Sequence, residues 1–295
     1  MLNVVEKQPG NKDLFRNHSP EMKASIWVGE RLKDAAKEGV VCCVAEVTPA
    51  LARVLLGNNP ANRRVSDVTV EKIARDIENG TFALNGESII VAGDGGLNDG
   101  QHRLCAILMA DKSVRSVIVF GPPRDTRVTV DQGRSKMVGD YLAMEGHKDS
   151  LALAAAAGYV WQWQNKGRLA KQSIERPNKG EVLAIVEEFP AISVSVASVG
   201  GNGVGGRGLL AFCHFAFSSH ASKDAADEFT ASLISGANLL SRDPILYARN
   251  RLMSDRRLSP NEKAELLFRA WNAHRRGETP KTLVVNDQAL PKVER

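Results

Sequence analysis

The sequence predicts an α+β protein in which a small α/β domain is followed by a mostly helical domain. Three observations carry this. Short β-rich runs alternate with helical patterns up to residue 122, and only helical patterns follow. Aromatic residues make up 5% of the chain, which suits an alanine-rich helical interior better than an all-β sandwich. At 295 residues there is room for two domains of ordinary size. The expected division is a leader and helix over 1–40, the α/β domain over 41–122, a linking stretch over 123–148, the helical domain over 149–285 and a tail over 286–295.

Each element has its own signal. Pro9-Gly10 and Asn17 to Pro20 break any pattern, so residues 1–20 read as a loose leader. Pro20 to Lys37 reads as a helix closed by Gly39, with Met22, Ile26, Trp27 and Ala35 or Ala36 as its apolar positions. Val40 to Val44 is β-rich. Thr48 caps a helical turn that has Pro49 at its first position, and Asn58 to Arg64 is a polar loop. Val68, Val70, Ile73 and Ile77 mark a helix ended by Asn79-Gly80. Ser88 to Ala92 is a strand, Asp94 to Gly96 a turn, and Leu97-Asn98 a short strand that breaks at Asp99-Gly100. Leu104, Ile107 and Leu108 then have helical spacing, and Val114 to Phe120 is a strand stopped by Gly121-Pro122-Pro123. Arg127 to Val130 looks strand-like. Helices are expected over 135–144, 150–164, 178–189, 209–221, 225–234, 243–254 and 259–276, the last opened by the capping box Ser259-Pro260-Asn261-Glu262.

Composition excludes several classes. No run of 18 apolar residues exists, so no membrane span is expected. Met1 to Lys12 lacks a secretory pattern, and the expected compartment is the cytoplasm. Cys42, Cys43, Cys105 and Cys213 form no Cys-x-x-Cys pair, so reduced, mostly buried thiols are expected rather than zinc or disulfides. The net charge of +5 is uneven. Residues 1–122 hold 15 basic and 15 acidic side chains, residues 123–295 hold 24 and 19. That tilt is compatible with nucleic acid.

The most informative segment is Gly96-Leu97-Asn98-Asp99-Gly100-Gln101-His102-Arg103-Leu104. A strand ends, a glycine permits a sharp turn and a helix begins at once. Amides of a first helical turn lack intrahelical partners, and the helix dipole favours an anion there. His102 and Arg103 add donors, Arg in a fork that suits phosphate, and Gly100 allows close backbone approach. Asp99 would repel a bare phosphate, so it suits a divalent metal on the nucleotide or the positioning of a hydroxyl. A plain helix start, with Asp99 as cap and His102 and Arg103 facing solvent, satisfies the same spacing.

Residues 44–120 carry an ordered set of motifs that resembles the N-terminal domain of the ParB/sulfiredoxin superfamily. Asn59-Pro60-Ala61-Asn62-Arg63-Arg64 is similar to its asparagine-proline box. Val68 to Gly80 is similar to the following helix, Asn85 to Val91 to its extended segment, and Leu97 to Ala106 to its phosphate-binding strand-turn-helix. In that superfamily ParB proteins bind CTP, sulfiredoxin binds ATP, and a free-serine kinase carries an Asp-Gly-His-His-Arg variant. The Asp-Gly-Gln-His-Arg version here is most similar to phage and mobile-element proteins with a helical tail. The chain lacks the Glu-Arg-Arg of chromosome-partitioning ParB and the reactive cysteine of sulfiredoxin, so plasmid segregation and sulfinic-acid repair both lose support.

The resemblance implies CTP or ATP with Mg2+ at Asn98, Gly100, Gln101, His102 and Arg103, bordered by Arg63, Arg64 and Asn85. Asp99 and Glu87 are the candidate metal ligands and, with His102, the candidate catalytic groups. Arg134, in Asp131-Gln132-Gly133-Arg134, is a candidate for nucleotide or DNA contact. Arg256, Arg257, Arg275 and Arg276 are candidates for DNA, against the alternative of a solvated basic face.

Other features read as structural. Gly201-Asn202-Gly203-Val204-Gly205-Gly206 satisfies Gly-x-Gly-x-x-Gly after the strand-like Ile192 to Val196. No βαβ unit follows, so it reads as a loop between helices. His214 and His220 lack a third ligand, and Trp161 and Trp163 read as core. The resulting expectation is an NTP-binding, slowly hydrolysing or non-hydrolysing protein associated with DNA. The alternatives are a phosphotransferase for a small molecule or modified base, a nuclease, and a non-catalytic interaction module.

Overall fold

The structure, a computed structural model, describes residues 18–59, 62, 64–129, 136–200 and 204–295. Contacts divide the chain into two compact units, residues 1–134 and 135–295. The protein is of mixed α and β type, with all strands of the described residues in the first unit.

The first unit is built on a four-stranded sheet of order β1-β4-β2-β3, where β1 is Val41–Val47, β2 Ser88–Val91, β3 Leu97–Asp99 and β4 Val114–Phe120. β4 pairs antiparallel with β1 and parallel with β2, and β3 pairs antiparallel with β2. Ser116, Ile118 and Phe120 alternate inward along β4, the period of a strand with one buried face. The strand read at Val40 to Val44 runs on to Val47, because Glu46 lies opposite Arg115 and Val47 opposite Val114. Cross-strand pairs of opposite charge support such an extension.

Four helices cover the sheet: α1 Pro20–Glu38, α2 Pro49–Gly57, α3 Asp67–Glu78 and α4 Gln101–Ala110. Ser19, Thr48 and Ser66 cap the first three, each accepting from an amide three residues on. α1 buries Val28 and Ala35, and leaves Met22 exposed although its spacing had placed it inward. Trp27 packs edge-on against Phe120, ring centroids 5.7 Å apart. Leu104, Ala106 and Ile107 of α4 join Ile89, Val91, Ile118 and Phe120 in one core. Of the strand expected at 127–130, residues 127–129 belong instead to a 3-10 helix over Arg124–Thr129, and Val130 lies outside the described residues. Both the amide and the hydroxyl of Thr126 turn back to the Pro123 carbonyl, which favours a turn over an extended chain.

The second unit is helical: α5 Val138–Met144, α6 Ser150–Lys166, α7 Lys179–Glu188, α8 Ala191–Ser198, α9 Arg207–His220, α10 Lys223–Ser235, α11 Pro244–Ser254 and α12 Pro260–Arg275. α9 is buried on all sides from Leu209 to Phe217, so it is the central helix of this unit. It contacts α6, α8, α10 and α12. Gly208 permits the close approach to α6, since a Cβ there would stand 2.6 Å from the Ala155 Cβ and 3.3 Å from the Ala152 carbonyl oxygen. Phe217 stacks on Trp271 at 4.5 Å, and Trp163 packs edge-on against Phe212 and Phe268. Capping boxes at Asn178 and Ser259 open α7 and α12.

Ile192 to Val196, strand-like by alternation, is helix α8. Its buried residues Ile192, Ser195 and Val196 follow the helical spacing of three and four. The glycine run after it lies between α8 and α9, and residues 201–203 fall outside the described residues. Of the cysteines only Cys213 is buried, whereas Cys42 is exposed and Cys43 and Cys105 are half-buried. The expectation of mostly buried thiols therefore fails for Cys42, which sits at the start of the edge strand β1. Burial pushes the thiols of Cys43, Cys105 and Cys213 up from their ordinary range.

Candidate functional site

α4 starts directly at the end of β3. Gly100 takes the left-handed conformation, φ 100°, and no side chain caps the helix. Asp99 is therefore not the cap that a plain helix start would supply. The direction a side chain would take at position 100 is filled: a Cβ would lie 2.9 Å from Cγ1 of Ile89 and 3.2 Å from its Cα. Glycine is needed here by the turn and by packing against β2.

The side chains around this turn fan out in three directions. Arg103 turns toward the start of β2. Its Nη2 donates to the Ser88 carbonyl at 2.8 Å and to Asp99 Oδ2 at 3.1 Å. Nη1 lies 4.0 Å from Glu87 Oε2, and is buried without a hydrogen-bond partner. The Arg103 side chain is only 14% exposed, against 72% for Glu87. Asn85 accepts from the Glu87 amide, which closes a short turn before the strand.

His102 turns instead toward α3, where its Nε2 accepts from the Ser66 amide at 3.0 Å. That nitrogen is an acceptor in this arrangement, which places the ring proton on Nδ1. Gln101 is buried and its Oε1 accepts from Asn59. Asn62 donates to the Leu97 carbonyl at 2.8 Å and to Asn59 Oδ1. Arg64 is exposed two residues before Ser66, whereas Arg63 lies outside the described residues.

Asn98 turns a third way. Its amide donates to the Pro123 carbonyl and its oxygen accepts from Arg124, whose Nη1 also bonds the Leu97 carbonyl at 2.6 Å. The structure thus groups Asp99, Arg103 and Glu87 on one side of the turn, and Gln101, His102, Asn59, Asn62 and Ser66 on another. Asn59, Asn62, Ser66 and Arg124 are contributors that spacing around the turn did not single out. Asn59 and Asn62 lie in the asparagine-proline box, which was the available signal for them.

Asp99 and Glu87 are poorly suited to hold Mg2+ by themselves. Both flank the Arg103 guanidinium, whose fixed charge opposes a divalent cation between them. Among the described residues no group of three or more metal-ligating side chains is gathered.

The candidate DNA-contacting arginines do not form one patch. Arg256 and Arg257 precede α12 and Arg275 and Arg276 end it, so α12's length of roughly 24 Å separates the pairs. Arg276 is engaged by Glu278 and Glu294, and Arg275 lies over the Trp271 ring at 5.7 Å. Arg257 stands 3.7 Å from Asp255. Arg134 lies outside the described residues.

A second constellation was not linked in the sequence. In the second unit the His214 ring bonds Ser195 Oγ through Nδ1 at 2.9 Å and Asp227 Oδ1 through Nε2 at 2.8 Å. A Ser-His-Asp set invites a hydrolase reading, which the geometry refuses. Ser195 is 2% exposed on α8, so no substrate carbonyl reaches it, and the ring nitrogens are used in the reverse of the nucleophile order. These residues tie α8, α9 and α10 together. His220 is likewise committed, its Nδ1 bonded to the Ala216 carbonyl.

Compared with known protein families, with curated proteins and with solved structures, the chain shows no match to any of the three. No helix among the described residues is long and apolar enough to cross a membrane.

Proposed function

We propose that the first unit binds a nucleoside triphosphate, CTP or ATP, over the start of α4, and that the protein associates with DNA. The observation that supports this most is a helix that opens on a left-handed glycine with no side-chain cap, at the end of a strand. Asn59, Asn62 and Ser66 bond to Gln101, Leu97 and His102 around the same helix start, and the exposed Arg64, two residues before Ser66 in the chain, is the donor offered to a polyphosphate. Arg103 acts as a scaffold that ties α4 to β2 and Asp99, and its charge still adds to the local field. The nucleotide brings Mg2+ on its own phosphates. The divergence of His102 and Arg103 speaks against a clamp in which both grip one phosphate group.

Labelled CTP and ATP titrated with and without Mg2+ test the reading. At least one should bind, and Arg64→Ala, at an exposed position, should weaken it about tenfold through loss of one charged donor. If neither nucleotide binds the unaltered protein, the reading is lost.

The DNA half rests on the positive balance of the second unit and on the exposed Arg256 and Arg257. Duplex binding measured against salt concentration tests it. Replacing both arginines by alanine should lower the log–log slope by about 2, at roughly 0.9 per phosphate contact. An unchanged slope removes these two residues from any such interface.

A further inference from the structure

Residues 283–294 do not trail from the second unit. They pass over α12 with a bend at 287–289, where Asp287 has φ 55°, and are held by that helix mainly through their main chain. Glu265, fully buried, accepts from the amides of Asn286 and Asp287 at 3.0 and 2.9 Å. Asn261 donates to the Gln288 carbonyl at 2.9 Å. The Leu290 amide donates to the carbonyl of Gly167, just past α6. Asn272 clamps the tail from both sides of one residue, donating to the Lys292 carbonyl at 2.8 Å and accepting from the Glu294 amide at 3.0 Å. Trp271 Nε1 closes the row on the Glu294 carbonyl at 2.8 Å.

Asn261 and Asn272 are separated by about 16 Å along the helix. Residues 286 and 287 meet Glu265 and residue 288 meets Asn261, one turn earlier in α12, so the segment steps back along the helix, bends over 287–289 and then runs toward Asn272. Leu283 and Leu290 are its buried side chains. Asp287 adds one charged contact, accepting from Asn261 at 3.0 Å and pairing with Lys171. The connection before it, residues 277–282, is exposed at every position but Pro280.

Recognition through main-chain groups, two apolar anchors and an Asp is a way proteins hold a bound peptide. Nothing in those contacts requires the peptide to be joined to the same chain. We propose that the face of α12 formed by Asn261, Glu265, Trp271 and Asn272 is a peptide-binding site, filled by residues 283–294 of its own chain and able to take the same segment from a second copy. The exposed connection supplies the hinge that such an exchange needs.

A protease site built into residues 278–282 of the full chain allows the tail to be cut after folding. The cut tail should stay bound and should exchange with a labelled synthetic peptide of residues 282–295. Substitutions are then placed in the peptide, where they cannot disturb folding. Leu290→Ala should weaken binding roughly tenfold or more, whereas Asn286→Ala and Lys292→Ala, which contribute through their main chain, should leave it unchanged. The proposal is overturned if the labelled peptide never enters the cut protein, or if Leu290→Ala binds as well as the parent peptide.

Discussion

Replacing Gly100 by alanine is expected to destabilise the first unit by about 2–5 kcal/mol. Two costs add. A side chain in the left-handed region costs about 1–2 kcal/mol. The new methyl also meets Ile89 at 2.9 Å from Cγ1 and 3.2 Å from Cα, and overpacking of this kind costs about 1–3 kcal/mol. Ile89 cannot swing clear, because it is fully buried in β2 and its own backbone atom is part of the clash. Gly80 separates the two costs. It also has positive φ, 72°, but nothing lies within 4 Å of where its Cβ would be, so Gly80→Ala should cost only the conformational part. Amide hydrogen exchange over residues 88–91 and 101–110 reads the first unit without a two-state assumption for the whole chain. Equal effects at the two glycines would remove the Ile89 contact as a constraint on the turn.

The strand-turn-helix at 97–110 was legible because its signals are local: a strand end, a glycine and a helical apolar spacing within a dozen residues. The directions of the polar side chains were only half legible. Neighbours on a helix stand about 100° apart, so His102 and Arg103 could not have served one ligand equally. Which neighbour each would meet depended on Ser66 and Ser88, far away in sequence. α8 was ambiguous by itself because Ile-Ser-Val-Ser-Val satisfies both a two-residue and a three-to-four-residue repeat; the absence of a following βαβ pattern pointed to a loop between helices, and the partners of Ser195 decide for the helix. The tail over 286–295 carried no signal of its own. Its anchors, Asn261, Glu265 and Asn272, are polar residues on an otherwise apolar helix face, and such residues are buried only when something satisfies them. That pattern on α12 was the available clue to a docked segment.

The second large effect is expected at His214. The ring is 1% exposed, and burial lowers its pKa, with the hydrogen bond to Asp227 opposing. A neutral ring fits the contacts: Nε2–H donates to Asp227 and Nδ1 accepts from the Ser195 hydroxyl. His214→Ala leaves a cavity, an orphaned buried hydroxyl and a carboxylate short of one donor, which together should cost about 3 kcal/mol or more. Because the folded pKa lies below the unfolded value of about 6.5, the unfolded chain binds the extra proton first on acidification. Stability from this residue is therefore complete above about pH 6.5 and declines as pH falls toward the folded pKa, by up to about 1.4 kcal/mol per pH unit. Asp227 works in a lower window. Its pKa is lowered to about 2 by hydrogen bonds from Lys223 and then His214, so its contribution is present above the ordinary carboxylate range and is lost only as pH approaches 2. Unfolding by urea between pH 8 and pH 4, followed by tryptophan fluorescence in a Trp27→Phe background, reads the second unit and separates the two groups by their pH windows, since the other three tryptophans, Trp161, Trp163 and Trp271, all lie there. The decline beginning near pH 6.5 should vanish in His214→Ala. If it persists there, a different group titrates, and the Ser195–His214–Asp227 bridge is not what makes the helical unit sensitive to acid.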